Sequence, residues 1–159
     1  MSVNLIGAKL AIATGRPATN DVAGFEALTW VEADAGTVSI GAIGDTNETI
    51  TVPDLTTGRN TTLKGAVTGD TVNIALSRQR ATGGVSGALT TAQTAFQAAA
   101  QAMGGEYSIR VTEAGAAGPV HYYTGAVMNW KQTEMTTTSY AGFTFDVAIN
   151  TTPVVDYPA

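Results

Sequence analysis

The clearest periodicity lies in the C-terminal half of the chain. Tyr107, Ile109 and Val111 alternate with Ser108, Arg110 and Thr112, the two-residue period of a strand with one buried face. Glu113 to Pro119 reads as a turn or short loop, Val120 to Met135 as a long strand bent near Gly125, and Tyr140 to Asn150 as another strand, with Phe143, Phe145, Val147 and Ile149 on one side. Further strands are expected at Ala27–Glu32, Thr37–Ile43 and Glu48–Val52, separated by Asp34-Ala35-Gly36 and Gly44-Asp45. Thr62–Thr68 and Thr71–Arg78 flank Gly69-Asp70 and read as a tight hairpin, with Val72, Ile74 and Leu76 on one face of its second strand. Leu5 to Ala13 reads as a strand or extended arm, and Gly15 to Asp21 as a loop. Pro53 to Asn60 is a polar loop carrying one apolar residue, Leu55.

One segment keeps helical time. Thr82 to Gly87 breaks the β pattern; within Ala88–Met103, Leu89, Phe96 and Met103 then recur every seven positions, Ala92, Ala99 and Ala100 fill the same stripe, and Gly104-Gly105 ends it. The rest of this helix is Thr, Gln and Ala without a charge. A solvent-facing helix usually carries Glu and Lys. Thr90, Gln93, Thr94, Gln97 and Gln101 therefore mark either a subunit contact or simply an alanine-rich helix of low complexity. Strands followed by strands with one helix inserted predict a mainly β fold, a β-sandwich or partly closed barrel with one flanking α-helix. No internal repeat or composition break divides the 159 residues, so one domain is expected.

Composition turns this picture towards assembly. Apolar residues make up 44% of the chain, enough for a core, whereas charged residues make up only 13%, about half the usual share. Low surface charge suits either a sticky monomer or a subunit covered by copies of itself. The formal charge is −5 and the eight Lys and Arg are scattered, which disfavours ordinary nucleic-acid binding. With no Cys, disulfides, thiol catalysis and Cys-ligated metals are excluded. The apolar stretch from Met1 to Thr14 is interrupted by Asn4 and Lys9 and lacks the pattern of a leader or membrane span, so the chain is expected to stay in the cytoplasm where it is made, with no membrane partner.

Catalytic patterns are sparse. The single histidine, His121, lies on an expected strand without an accompanying nucleophile elbow, and reads as structural rather than as a general base. Gly83 to Gly87 precedes the helix but lacks the Lys of a phosphate-binding loop. Asp45-Thr46-Asn47-Glu48 opens like a calcium loop without its Gly or distal Glu. Trp30, Trp130 and the tyrosines 107, 122, 123 and 140 read as core or interface residues before they read as a ligand platform. Neither catalytic residues, nor a metal, nor a cofactor is expected.

The order of segments carries a resemblance. It runs from Leu10-Ala11-Ile12-Ala13 through Val52-Pro53-Asp54-Leu55-Thr56-Thr57-Gly58-Arg59 and the helix opening Gly87-Ala88-Leu89. It closes on Tyr122-Tyr123-Thr124-Gly125-Ala126-Val127 and Phe143-Thr144-Phe145-Asp146-Val147-Ala148-Ile149. This resembles the major tail tube proteins of long, flexible-tailed (siphovirus-type) bacteriophages, the lambda-like tube family, over nearly the whole chain. The resemblance implies a virion protein that forms hexameric rings, with strands joined into an inner barrel and the helix outside. The rings would stack into the hollow conduit for DNA delivery, with a tape-measure protein, tail tip and tail terminator proteins as partners. It matches an inter-ring loop to about 53–62, with Pro53, Asp54, Leu55 and Arg59, and arms to about 1–14 and 152–159. At −5 per chain a six-membered ring carries about −30, and an acidic lumen would let DNA slide. Lumen candidates are Glu26, Glu32, Asp70, Glu106, Glu113 and Asp146, whose facing depends on strand register. The competing readings are a contractile-tail or type VI secretion tube subunit, a head-decoration or joining protein, and a monomeric β-sandwich ligand-binding module.

Overall fold

A computed structural model of the chain describes residues 7–33, 36–78, 89–113 and 118–157. Ten strands and two helices are formed among them: β1 (Lys9–Thr14), α1 (Val22–Glu26), β2 (Val31–Ala33), β3 (Thr37–Ile40), β4 (Asp45–Pro53), β5 (Asn60–Gly69), β6 (Thr71–Ser77), α2 (Thr91–Gln101), β7 (Tyr107–Thr112), β8 (Val120–Gln132), β9 (Gly142–Ile149) and β10 (Val154–Asp156). The main sheet runs β2-β1-β7-β8-β9-β6-β3 with β10 added beside β8, all neighbours antiparallel. The sheet is open, and β4 and β5 form a separate two-stranded sheet. The fold is mainly β and sandwich-like, as the sequence predicts, with a second short helix that its pattern did not show.

Register explains where the core lies. Leu10 stands opposite Val111, Ile12 opposite Ile109, Ile109 opposite Tyr123, Val127 opposite Val147, and Phe145 opposite Ile74. One sheet face is thus a continuous apolar surface, and these residues are buried. Helix α2 covers it, with Phe96 stacked on Phe145 at 4.9 Å between ring centroids. The opposite face carries Arg110 and Tyr122, register partners across β7 and β8. Here α1 and the segment after it form a smaller cluster. Phe25 stacks on Tyr122 at 5.1 Å, Trp30 lies 6.0 Å from Tyr122, and Arg110 sits over the Trp30 ring at 5.0 Å.

Several expected elements fall differently. The expected Ala27–Glu32 strand is strand only at its end, where Val31 and Glu32 open the short β2; ahead of it Asp21 caps the helix α1 by accepting from Gly24 N at 2.7 Å, and Phe25 anchors that helix on Tyr122. Thr62–Thr68 does not pair with Thr71–Ser77. The strand β5 pairs back with β4, while β6 buries Val72, Ile74 and Leu76 between β9 and β3. In place of an N-terminal arm reaching to residue 14, Lys9–Thr14 is an interior strand, paired on both sides and buried from Leu10 to Ala13; residues 1–6 lie outside the described residues. Of the expected C-terminal arm, Val154–Asp156 pairs with β8, and 158–159 lie outside the described residues. The bend in β8 is not at Gly125 but at Asn129, whose φ of 58° accompanies a register shift between Met128 and Lys131.

Candidate functional site

The hairpin of β4 and β5 leaves its large apolar side chains uncovered. Ile50 faces Leu63 and Val52 faces Thr61 on one side, while a bulge between Asn47 and Thr49 puts Val67, opposite Asn47, on the other. The other side carries Thr49, Thr51, Thr62 and Lys64. A ribbon of this kind normally lays its apolar face on a core, yet Ile50, Val52 and Leu63 expose 51%, 44% and 49% of their surface, and Val67 on the other side exposes 55%. A two-stranded hairpin standing alone is marginal in water.

Its tip is rigidly shaped. Pro53 and Asn60 are the last paired residues, so the expected 53–62 loop contracts to residues 54–59. Asp54 organises the turn. Its carboxylate accepts from Thr56 N at 2.8 Å and from the Thr57 hydroxyl at 2.7 Å. Its own N–H donates to Arg59 O at 3.2 Å, and its carbonyl accepts from Gly58 N at 2.9 Å. Gly58 has φ +70°, which favours glycine. The hydrogen bond from Thr57, then that from Thr56 N, holds the Asp54 carboxyl below the usual carboxylate range. Leu55 is thereby displayed 100% exposed at the end of the ribbon.

At the base of the hairpin lies a mostly apolar cavity of about 230 Å³, lined by Ala8, Ile40, Gly41, Ile43, Val111, Glu113 and His121. His121 Nε2 and Glu113 Oε1 are 2.7 Å apart at this cavity.

The helix residues divide. Gln93, expected on the outer back, is fully buried: its side-chain N–H donates to Ser77 O at 2.7 Å, and it closes a capping box with Thr90. Thr90 is half-buried and its hydroxyl accepts from Gln93 N. Thr94 and Gln101 are exposed and Gln97 half-buried, so the outer face is narrower than the composition suggested. Met103, expected in the core stripe, is fully exposed because the helix ends at Gln101 and Ala102 is already extended.

The six carboxylates are scattered. Glu32 pairs with Arg110, Glu106 with Arg16 at 2.7 Å and Glu113 with His121. Glu26 ends α1, and Asp70 accepts from the Thr46 hydroxyl beside the hairpin base. Asp146 lies on the sheet face away from α2, where Asn73 and Asn129 are exposed. Its oxygens accept from the Asn73 amide at 2.7 Å and the Asn129 amide at 2.9 Å, and these bonds, Asn73 first, hold its pKa below the ordinary value. The left-handed conformation of Asn129 aims that amide at Asp146, a partnership the sequence did not signal.

Among the described residues, no group of three or more His, Asp or Glu is placed to hold a metal ion, and no helix is long and apolar enough to cross a membrane. Gly83 to Gly87 lies outside the described residues.

Comparison with protein-family profiles and with curated protein sequences returns no match. Among solved structures, the chain is similar to a protein in the six-fold symmetrised baseplate of the anti-feeding prophage. The TM-score is 0.64 at 8% identity, over 99% of this chain and 98% of that one. At that identity the likeness is one of fold, and it extends over the full length of both chains.

Proposed function

We propose that this chain is a structural subunit of a phage-tail-like particle, acting as a single domain without enzymatic activity and polymerising as stacked six-fold rings into a hollow tube. The observation that carries the reading is the β4–β5 hairpin, a ribbon with Ile50, Val52 and Leu63 together on one face, Val67 on the other, and none of them buried. Such a face favours a protein partner, and low surface charge favours a second copy of the chain. The full-length likeness to a protein of a six-fold baseplate supports a ring-forming role. In such a ring the open sheet face bearing Asp146 would line the channel, presenting fixed negative charge to passing DNA.

A second reading, a tube or baseplate subunit of a contractile-type particle, is favoured by the same structural likeness, because that protein comes from a prophage baseplate. Negative-stain electron microscopy of the purified protein, before and after concentration, tests the proposal. Hollow tubes of stacked rings are expected; single rings that never stack would favour a baseplate role. A protein that remains monomeric at all concentrations, even with preformed tail tips added, would overturn self-assembly.

A further inference from the structure

The hairpin has a knob at its tip and the chain has a socket at its base. The knob is Leu55, fully exposed and held out by the Asp54 turn. The socket is the cavity of about 230 Å³ formed by Ile40, Ile43 and Val111, with His121 and Glu113 lining it as well. The two cannot meet within one molecule. Ile43 stands two residues before the start of β4, and the nine residues Asp45–Pro53 carry the tip about 30 Å from that base. A second copy displaced along the hairpin brings tip and socket together. Charge complements shape: Arg59 stands at the tip and forms none of the ion pairs found among the described residues, while Glu113 lies at the socket.

We propose that Leu55 of one copy seats in the cavity bounded by Ile40, Ile43 and Val111 of the next, with Arg59 meeting Glu113 at its rim. The contact is heterologous, tip to base, so it repeats without closing and generates an open stack. Its geometry sets the repeat: successive layers are spaced by roughly the hairpin length, on the order of 30 to 40 Å. This rests on the self-assembly reading and adds the surface that receives the hairpin.

The absence of cysteine makes the contact directly testable. Leu55→Cys and Ile43→Cys single variants, mixed and mildly oxidised, are expected to give a disulfide-linked heterodimer, and the double variant a ladder of covalent oligomers. Leu55→Cys mixed with Met135→Cys, a position exposed elsewhere, should give neither. Ile40→Cys serves as a second socket position if Ile43→Cys disturbs the fold. Leu55→Asp should raise the concentration needed for assembly at least tenfold without moving the melting temperature. Tubes in the microscope with no cross-link from either socket position would overturn the socket and leave self-assembly standing. Neither tubes nor cross-links would overturn both. An intramolecular link between Leu5→Cys and Ile43→Cys would show the cavity to be filled by the chain's own N-terminal segment, which also overturns the proposal.

Discussion

At the residue scale, stability rests on a few polar and glycine positions whose surroundings leave no alternative. Gln93 is sealed between α2 and the end of β6, where its amide satisfies the Ser77 carbonyl. Truncation strands that carbonyl and opens the capping box, so Gln93→Ala should cost about 2 to 3 kcal/mol in urea unfolding. Gln97→Ala, on the outer side of the same helix, should stay within about 0.5 kcal/mol. Gly125 faces a sharper constraint, since a Cβ there would lie 2.1 Å from the Ala148 carbonyl oxygen. Gly125→Ala has to push β8 and β9 apart and should lose about 3 kcal/mol or more. Asp146 makes stability depend on pH. Its pKa is lowered in the folded chain by the amides of Asn73 and Asn129, so its ionised form favours folding. The contribution is complete above the ordinary carboxylate range and fades as pH falls through the lowered value. The stability difference between the natural chain and Asp146→Asn should therefore be largest near neutrality and shrink on acidification, as followed by urea unfolding at a series of pH values.

At the scale of elements, the chain separates into a sheet that buries its own apolar face and a ribbon that does not. Asp45 and Gly69 are paired across the base of the ribbon, and Asp70 N donates to Gly44 O at 3.0 Å. Residues 46–68 can therefore be replaced by a two-residue turn without stretching the chain. The shortened protein should keep its circular dichroism spectrum and melt within a few degrees of the full chain, yet remain monomeric by light scattering. Loss of folding instead would mean that the ribbon supports the core. The strands β7, β8 and β9 were legible in the sequence because alternation there survives in one-sided burial. The ribbon was not, because Thr-rich β4 and β5 alternate just as β6 does, and nothing local distinguishes a strand that pairs backwards from one that pairs forwards. What decides is long-range: Val72, Ile74 and Leu76 match the spacing of Val147, Phe145 and Phe143. The short α1 escaped notice because five residues carry too little periodicity, although Thr19-Asn20-Asp21 ahead of Phe25 was a readable cap. On α2, composition marked a charge-free face but could not reveal that Gln93 turns inward. Leu55 was identifiable as a lone apolar residue in a polar stretch, whereas its socket joins Ala8, Ile43, Val111 and His121 from distant parts of the chain.

For the whole molecule, the proposed assembly would set apolar attraction against like charge. Every copy carries −5, and packing copies side by side in the proposed rings would bring those charges within a few ångströms to tens of ångströms of each other. The attraction would come from the exposed Ile50, Val52, Leu55, Leu63 and Val67, which would lose water on contact. Salt weakens the first term and leaves the second intact, because the screening length falls to about 4 to 5 Å near 0.5 M. Self-association should therefore strengthen between dilute buffer and about 0.5 M sodium chloride. It should strengthen further in sulfate, which enhances apolar burial, and weaken on cooling. Concentration series by light scattering at two salts and two temperatures separate the terms. Assembly that weakened steadily with sodium chloride would instead place ion pairs in control. The Leu55 contact would then be secondary to Arg59 and Glu113, and Arg59→Ala would outweigh Leu55→Ala in the same assay.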